Sequence, residues 1–348
     1  MKKILSILVA ATAVLLSSCT NEDIPVSQST TFKIDPSNVV KPFTFELNPG
    51  ELEGLGSDES IRTRLLVYNS ENILVKSETQ YLANYASLMQ TSLDLANGNY
   101  TAVVVTDIVQ RSGDEIDFAC WELSGEENLT TTKITDLGYI GGRSKILGIG
   151  VESFEVSGSS KEINISPSPA GALLALRWKN IHAYSNIEYI SLDVNRSSDY
   201  LVMNQYGKYD VAIENNNNKY DWRIAFLEPQ ESAYKNYTNI YGYYFVLPMK
   251  NVCFKWYLET DLEGMYTEEM LINNLTAGNE YYFEINLKDE TQENLITYGY
   301  YDVTGITYDE YLQYLTLLGT TQQCNTEATQ SIMLNDYIQE SIKSKSNK

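Results

Sequence analysis

The stretch from Tyr281 to Leu287 constrains the chain most. Tyr281, Phe283, Ile285 and Leu287 are apolar, while Glu284, Asn286 and the following Lys288 are polar. A repeat of two puts alternate side chains on opposite faces of an extended strand; a helix needs a repeat of 3.6. The pattern recurs along the chain. In "NVCFKWYLET", Val252, Phe254, Trp256 and Leu258 fall on one face, Lys255 and Glu259 on the other. In "ALLALRWKNI", Ala172, Leu174, Leu176 and Trp178 share one face, Leu173 and Ala175 the other. "RTRLLVYN" and "ILVKSE" flank the polar turn Asn69-Ser70-Glu71-Asn72 and predict a β-hairpin. Tyr100 to Thr106 is apolar on both faces, as a central strand of a covered sheet would be. Phe43, Phe45 and Leu47 alternate with Thr44 and Glu46 and predict a further strand. "FACWEL", "SKILGIGV", "SFEVSG" and "KEINI" continue the series of short strands. No helical repeat alternates with the strands, which argues against a parallel α/β fold and for all-β sandwiches.

A chain of 348 residues suggests two domains. An internal echo points the same way. "LDLANGNYTAVVV" returns as "NNLTAGNEYYFEI", each time a Gly-Asn turn leading into a strong strand. Pro167 and Pro169 interrupt a ladder and mark a boundary. The expected domains are 32–166 and 167–289, with a loop at Asn215 to Asn218. Residues 290–348 form a tail of different character. Thr307 and Glu310 have the spacing of a capping box. Tyr308, Tyr311, Leu312, Leu315 and Leu318 follow helical spacing, and Gly319 is a plausible stop. "SIMLNDYIQESIK" reads as a second short helix, and the last residues as disordered.

The amino terminus reads as a targeting signal, residues 1–18. Lys2 and Lys3 precede the apolar run Ile4 to Leu16, which is too short to span a bilayer as a helix. The run ends in Leu16-Ser17-Ser18-Cys19, similar to a bacterial lipobox: a small residue before the cut, a thiol after it to take the lipid. Residues 19–31 then read as a polar, lipidated tether. Glu22 and Asp23 either resemble a surface-export signal or are simply solvated. Losing Lys2 and Lys3 leaves 23 basic side chains against 46 acidic ones, a formal charge of −23. Such a surface repels nucleic acid and anionic lipid headgroups, so the acyl chains on Cys19 must hold the membrane.

The remaining reactive residues are few. Cys120, Cys253 and Cys324 are too sparse for a disulfide framework; one pair among them is open, and buried free thiols are the simpler reading. The single histidine, His182, lacks the partners of a triad or a zinc site. "GYIGGR" has three glycines but no phosphate-loop ending, and reads as a turn. Asp114, Glu115 and Asp117 cluster, and Glu268 and Glu269 adjoin, but the spacing is not that of a calcium loop, and 46 acidic residues cluster by chance. Of the 27 tyrosines, those in "YGYYFVLP" and "TYGYYDVTG" are the candidates for exposed patches. No catalytic, cofactor-binding or metal residue is expected, and no enzymatic activity; Cys19 is the one site residue.

Leu16 to Cys19, "RLLVYNSENILV", "LANGNYTAVVV", "SPAGALLALRWKNI" and "LTAGNEYYFEINL" together resemble the fimbrillin-type lipoproteins, in particular the anchoring subunits of bacterial outer-membrane fimbriae. The resemblance covers roughly residues 19 to 289 and leaves the tail unmatched. It implies two transthyretin-like β-sandwich domains in tandem and a mechanical, non-enzymatic role. The implied partners are fimbrial stalk subunits, bound by strand complementation, and the outer membrane, through lipid on Cys19. The implied place is the cell exterior. A rival reading is a surface glycan-binding lipoprotein of a polysaccharide-uptake system, which predicts a platform of exposed Trp or Tyr rings. An enzyme such as a glycosidase would need two facing carboxylates in a cleft.

Overall fold

The computed structural model describes residues 27–45, 55–137, 143–179, 187–194, 200–203, 209–212, 222–227, 240–260, 264–287, 296–307, 309–313 and 332–333. In the first half the strands are β1 (Ser27–Ile34), β2 (Glu59–Asn69), β3 (Leu74–Leu82), β4 (Met89–Ala96), β5 (Gly98–Ser112), β6 (Glu115–Ala119), β7 (Trp121–Ser124), β8 (Lys133–Asp136), β9 (Leu147–Val156), β10 (Lys161–Ile165) and β11 (Ser168–Pro169). In the second they are β12 (Ala172–Lys179), β13 (Ile187–Val194), β14 (Tyr200–Met203), β15 (Tyr209–Ala212), β16 (Trp222–Leu227), β17 (Ile240–Val246), β18 (Met249–Thr260), β19 (Gly264–Leu275), β20 (Glu280–Leu287), β21 (Ile296–Asp302) and β22 (Ile332–Met333). The protein is all-β, two stacked-sheet sandwiches in tandem, with a short helical segment at 309–313.

The first half is built on β5. Ala102 to Val109 are buried on both faces, because β5 runs through the middle sheet of three, in the order β11-β9-β5-β2-β3. One face packs on the sheet β10-β1-β4, where Phe32 meets Phe154 edge to face at 5.6 Å. The other packs under the sheet β15-β14-β8-β7, which buries Trp121, Ile134, Leu201 and Met203 in the same core. That third sheet draws β7 and β8 from the first half and β14 and β15 from the second, joined where Leu201 pairs with Ile134. The hairpin of β2 and β3 turns where expected, with Asn72 in the left-handed region at φ 65.

The second half pairs its strands in the orders β17-β12-β20-β21-β22 and β16-β13-β18-β19. β12 lies parallel to β20 and antiparallel to β17. β1 likewise lies parallel to β10 and antiparallel to β4. Each half thus clamps its leading strand between an antiparallel neighbour and a parallel one.

Several expectations change in the structure. The two Gly-Asn strands are not equivalent: β5 has antiparallel neighbours on both sides, whereas β20 is parallel to β12. By pairing, the counterpart of β20 is β10. The two glycines differ as well; Gly278 sits at φ 79 in a turn, while Gly98 is extended and opens β5. β1 begins at Ser27, inside the stretch read as tether, since Ser27 to Thr31 find ladder partners on β4. Residues 40–45 form no strand. A 3-10 turn, Pro36–Val39, capped by Asp35, is followed by turns, and Phe43 and Phe45 are buried in two different clusters. Pro169 does not break a ladder but sits in β11 at a sheet edge, where a missing N–H is tolerated.

The tail changes most. β21 lies within 290–348 yet pairs with β20 along its length, so the second sheet extends into the tail. Ile332 and Met333, expected in a helix, pair in parallel with Tyr301 and Asp302. The capping box forms as read: the Thr307 amide and hydroxyl donate to Glu310 Oε2 at 2.8 and 2.9 Å, and the Glu310 amide donates to Thr307 Oγ1 at 3.3 Å. Tyr311, in the turn that follows, is buried against Phe45 and Tyr282. Leu315, Leu318 and Gly319 lie outside the described residues.

Candidate functional site

Cys19, with Glu22 and Asp23, lies outside the described residues, as do His182, Cys324 and residues 138–142 of the glycine-rich turn. The first described residue, Ser27, opens β1, a strand bonded on both sides. On β1, Lys33 pairs with Glu162 of β10 at 2.8 Å, and this hydrogen bond holds the exposed Glu162 carboxyl below its ordinary range.

Of the carboxylates singled out in sequence, the described ones do not converge with a partner. Asp114, Glu115 and Asp117 stand exposed on the β5–β6 hairpin, with Asp114 reaching back to Arg111 at 3.6 Å. Glu268 and Glu269 lie on β19, and Cys253 on β18; their side chains are outside the described part. Among the described residues no three His, Cys, Asp or Glu side chains gather as a metal site would require. Cys120 is a buried free thiol, and burial pushes its pKa up to about 11. The tyrosine-rich segments are strands β17 and β21; Tyr243, Tyr244 and Tyr301 are half-buried and Phe245 is buried. Among the aromatic side chains that are described, only Tyr81 is exposed, and Arg111 covers its ring at 3.7 Å; the side chains of Tyr241, Tyr298 and Tyr300 lie outside the described part.

Buried charges tie the layers together. Arg62 on β2 donates from Nε to Asp107 Oδ1 on β5 at 2.9 Å and from Nη2 to the Trp121 carbonyl on β7 at 3.2 Å. Burial, the largest single effect, works against the Arg62 charge, but the hydrogen bond to Asp107 and the attraction of Asp107 and its acidic neighbours together outweigh it, and the pKa stands above its ordinary value. Lys145 pairs with Asp136 at 2.7 Å, both side chains nearly fully buried, and the Trp121 indole donates to the Lys145 carbonyl at 2.9 Å. The Arg62–Asp107 pair lies within the middle sheet, and the Arg62 bond to the Trp121 carbonyl carries it across to the third.

Most of the groups that converge on open space are polar, with Tyr100 and Phe154 also on the lining. A concavity of about 450 Å³ opens at one end of the middle sheet, where the β2–β3 turn meets β5 and β9. Asn99 stands opposite Glu155 and Thr101 opposite Ser153, with Asn69 and Asn72 on the turn beside them. Sequence reasoning took Asn69 to Asn72 and Asn97 to Asn99 as turn residues only; no sequence signal marks the register that sets Glu155 against Asn99.

No protein-family model matches the chain, and no curated protein matches it. Solved structures align with it over most of their length. A Bacteroides thetaiotaomicron structure, provisionally described as polysaccharide-binding, is 13% identical, with 78% of this chain and 97% of that one covered and a TM-score of 0.47. A fimbrial assembly protein from Parabacteroides distasonis is 9% identical, with 80% and 96% covered and a TM-score of 0.39. The tip fimbrial protein Mfa3 from Porphyromonas gingivalis, truncated at its C-terminus, is 9% identical, with 79% and 99% covered and a TM-score of 0.41. All three scores fall below 0.5 and carry no assignment of role.

Proposed function

We propose that the chain is a lipid-anchored subunit of a cell-surface fimbrium, the anchoring or accessory component that ties a filament to the outer membrane and takes part in adhesion. Two sandwich modules, divided near Pro167, would do the gripping, and lipid on Cys19 would hold the membrane. The position of β1 carries this reading. Force along the tether pulls β1 lengthwise, and its ladders to β4 and β10 resist together because their bonds lie across the pull. Among the described residues β3 and β4 stand at sheet edges, where a stalk subunit's strand can add to main-chain N–H and C=O groups. Cell fractionation of Cys19→Ala tests the proposal. Release of the protein and its fimbriae into the medium is expected; retention of the variant in the outer membrane would overturn it.

A further inference from the structure

We infer that the concavity between the β2–β3 turn and the ends of β5 and β9 is a binding site for a neutral saccharide. The argument starts from the register. Successive residues of a strand point to opposite faces, so Asn99 and Thr101 leave β5 on the face opposite Tyr100. Directly across on β9 stand Glu155 and Ser153. Facing residues of paired strands lie about 5 Å apart, and residues two apart on one strand about 6.7 Å apart. The four side chains therefore frame a polar rectangle on the scale of one pyranose ring.

The walls are held before any ligand arrives. Asn69 Oδ1 accepts from the amides of Glu71 and Ile73 at 3.0 and 2.9 Å, which fixes the turn. The turn is bonded in its turn to the next segment: Leu129 donates to the Asn72 carbonyl at 2.8 Å, and Leu74 to the Glu127 carbonyl at 3.0 Å. On the other side of the sheet, Tyr100 stacks on Phe154 at 5.6 Å and donates its hydroxyl to the Ala96 carbonyl at 2.8 Å. A preformed site loses little order on binding, which favours a weakly held, hydrated ligand.

The chemistry of the lining selects the ligand class. Asn99 and Asn72 each bring an amide with both donors and acceptors, Thr101 and Ser153 bring hydroxyls, and Glu155 is a pure acceptor when ionised. One carboxylate among amides and hydroxyls matches vicinal sugar hydroxyls, which donate to both of its oxygens. No Lys or Arg lines the concavity. Lys161 comes near, but its ammonium donates to the Glu155 main-chain carbonyl at 3.1 Å. A phosphate, sulfate or uronate would thus meet a carboxylate with no cation to offset it. The volume, about 450 Å³, lies within the usual range of small-molecule clefts.

This site stands apart from the anchoring role and is tested separately. The whole chain, in detergent, is run by affinity electrophoresis through gels containing starch, mannan or galactan as neutral probes, and pectate or heparin as acidic ones. Retardation by at least one neutral polysaccharide and by neither acidic one is expected. Glu155→Ala and Asn99→Ala should each weaken it about tenfold, the loss of one or two hydrogen bonds to the ligand. Both residues are exposed, so the melting temperature should stay unchanged and the variants should still fractionate with the membrane. Unaltered mobility in all the neutral gels overturns the inference, as does retardation shared with the acidic gels or kept by the double variant.

Discussion

The main-chain amide of Phe45 donates to the Glu280 carboxylate at 2.9 Å, across 235 positions of sequence. Both groups are buried, and the Phe45 ring packs on Tyr282 at 4.9 Å and Tyr311 at 5.6 Å. One short segment of the first half is thereby pinned to the leading edge of β20 and to the tail. Glu280→Leu removes this acceptor from a buried amide, at a cost of about 1–3 kcal/mol. Urea unfolding reads this directly. A loss below about 0.5 kcal/mol would mean the contact does not hold the halves together.

Removing the tail should expose the same cluster. Tyr282, Val303, Ile306 and Tyr311 form one buried group with Phe45 and Ala175. A Tyr311→Ala variant should lose about 3–5 kcal/mol, the usual cost of deleting a large buried ring. A chain ending at Leu287 should bind a hydrophobic dye that the complete chain does not. Equal dye binding by both would show that the tail contributes nothing to the second sheet.

The Arg62–Asp107 pair predicts a particular non-additivity. Asp107→Asn or Arg62→Met alone leaves one buried charge without its partner and should cost about 3–5 kcal/mol. The double variant should be more stable than the sum of the two losses by at least about 1 kcal/mol, because neither charge is then stranded. Additive losses in a double-mutant cycle would contradict the pairing.

Gly171 and Gly278 should respond differently to alanine. A Cβ at Gly171 would meet the Val246 carbonyl oxygen at 2.3 Å and the Phe245 ring at 2.7 Å. Forcing it in should cost about 1–3 kcal/mol or more, since backbone must move. Gly278→Ala meets nothing within 4 Å and bears only the strain of φ 79, about 1 kcal/mol. Denaturation midpoints should rank the two variants in that order.

Stability should fall in alkali as a buried thiol and a buried phenol are forced to ionise. Burial pushes the Cys120 thiol from 9.0 to about 11 and the Tyr68 hydroxyl from 10.0 to about 12. In both cases the fold favours the protonated form, so the contribution is whole below the unfolded values and is lost as pH rises through the folded ones. Denaturation midpoints should be level up to about pH 9 and decline from there toward about 12. Cys120→Ala should flatten the first part of that decline. A midpoint that rises above pH 9 would refute the assignment.

The sequence by itself determined what is local. The period-two runs became strands, the polar turn after Asn69 became a hairpin, the doubly apolar run after Tyr100 became a middle strand, and Thr307 and Glu310 closed their capping box. Each is set by neighbours a few residues away, and short-range sterics and hydrogen bonds suffice. Tertiary structure alone decided the rest. The alternation at Phe43 and Phe45 met no ladder partner and became buried turns. Tyr282, on the face opposite Tyr281 and Phe283, is buried because a tail from beyond the repeat covers it. β8 joined β14 across the expected boundary, and Glu155 came to face Asn99. Strand pairing is a contact between distant segments, fixed by which apolar faces can be covered together. A residue's own neighbourhood in the chain carries no record of that choice.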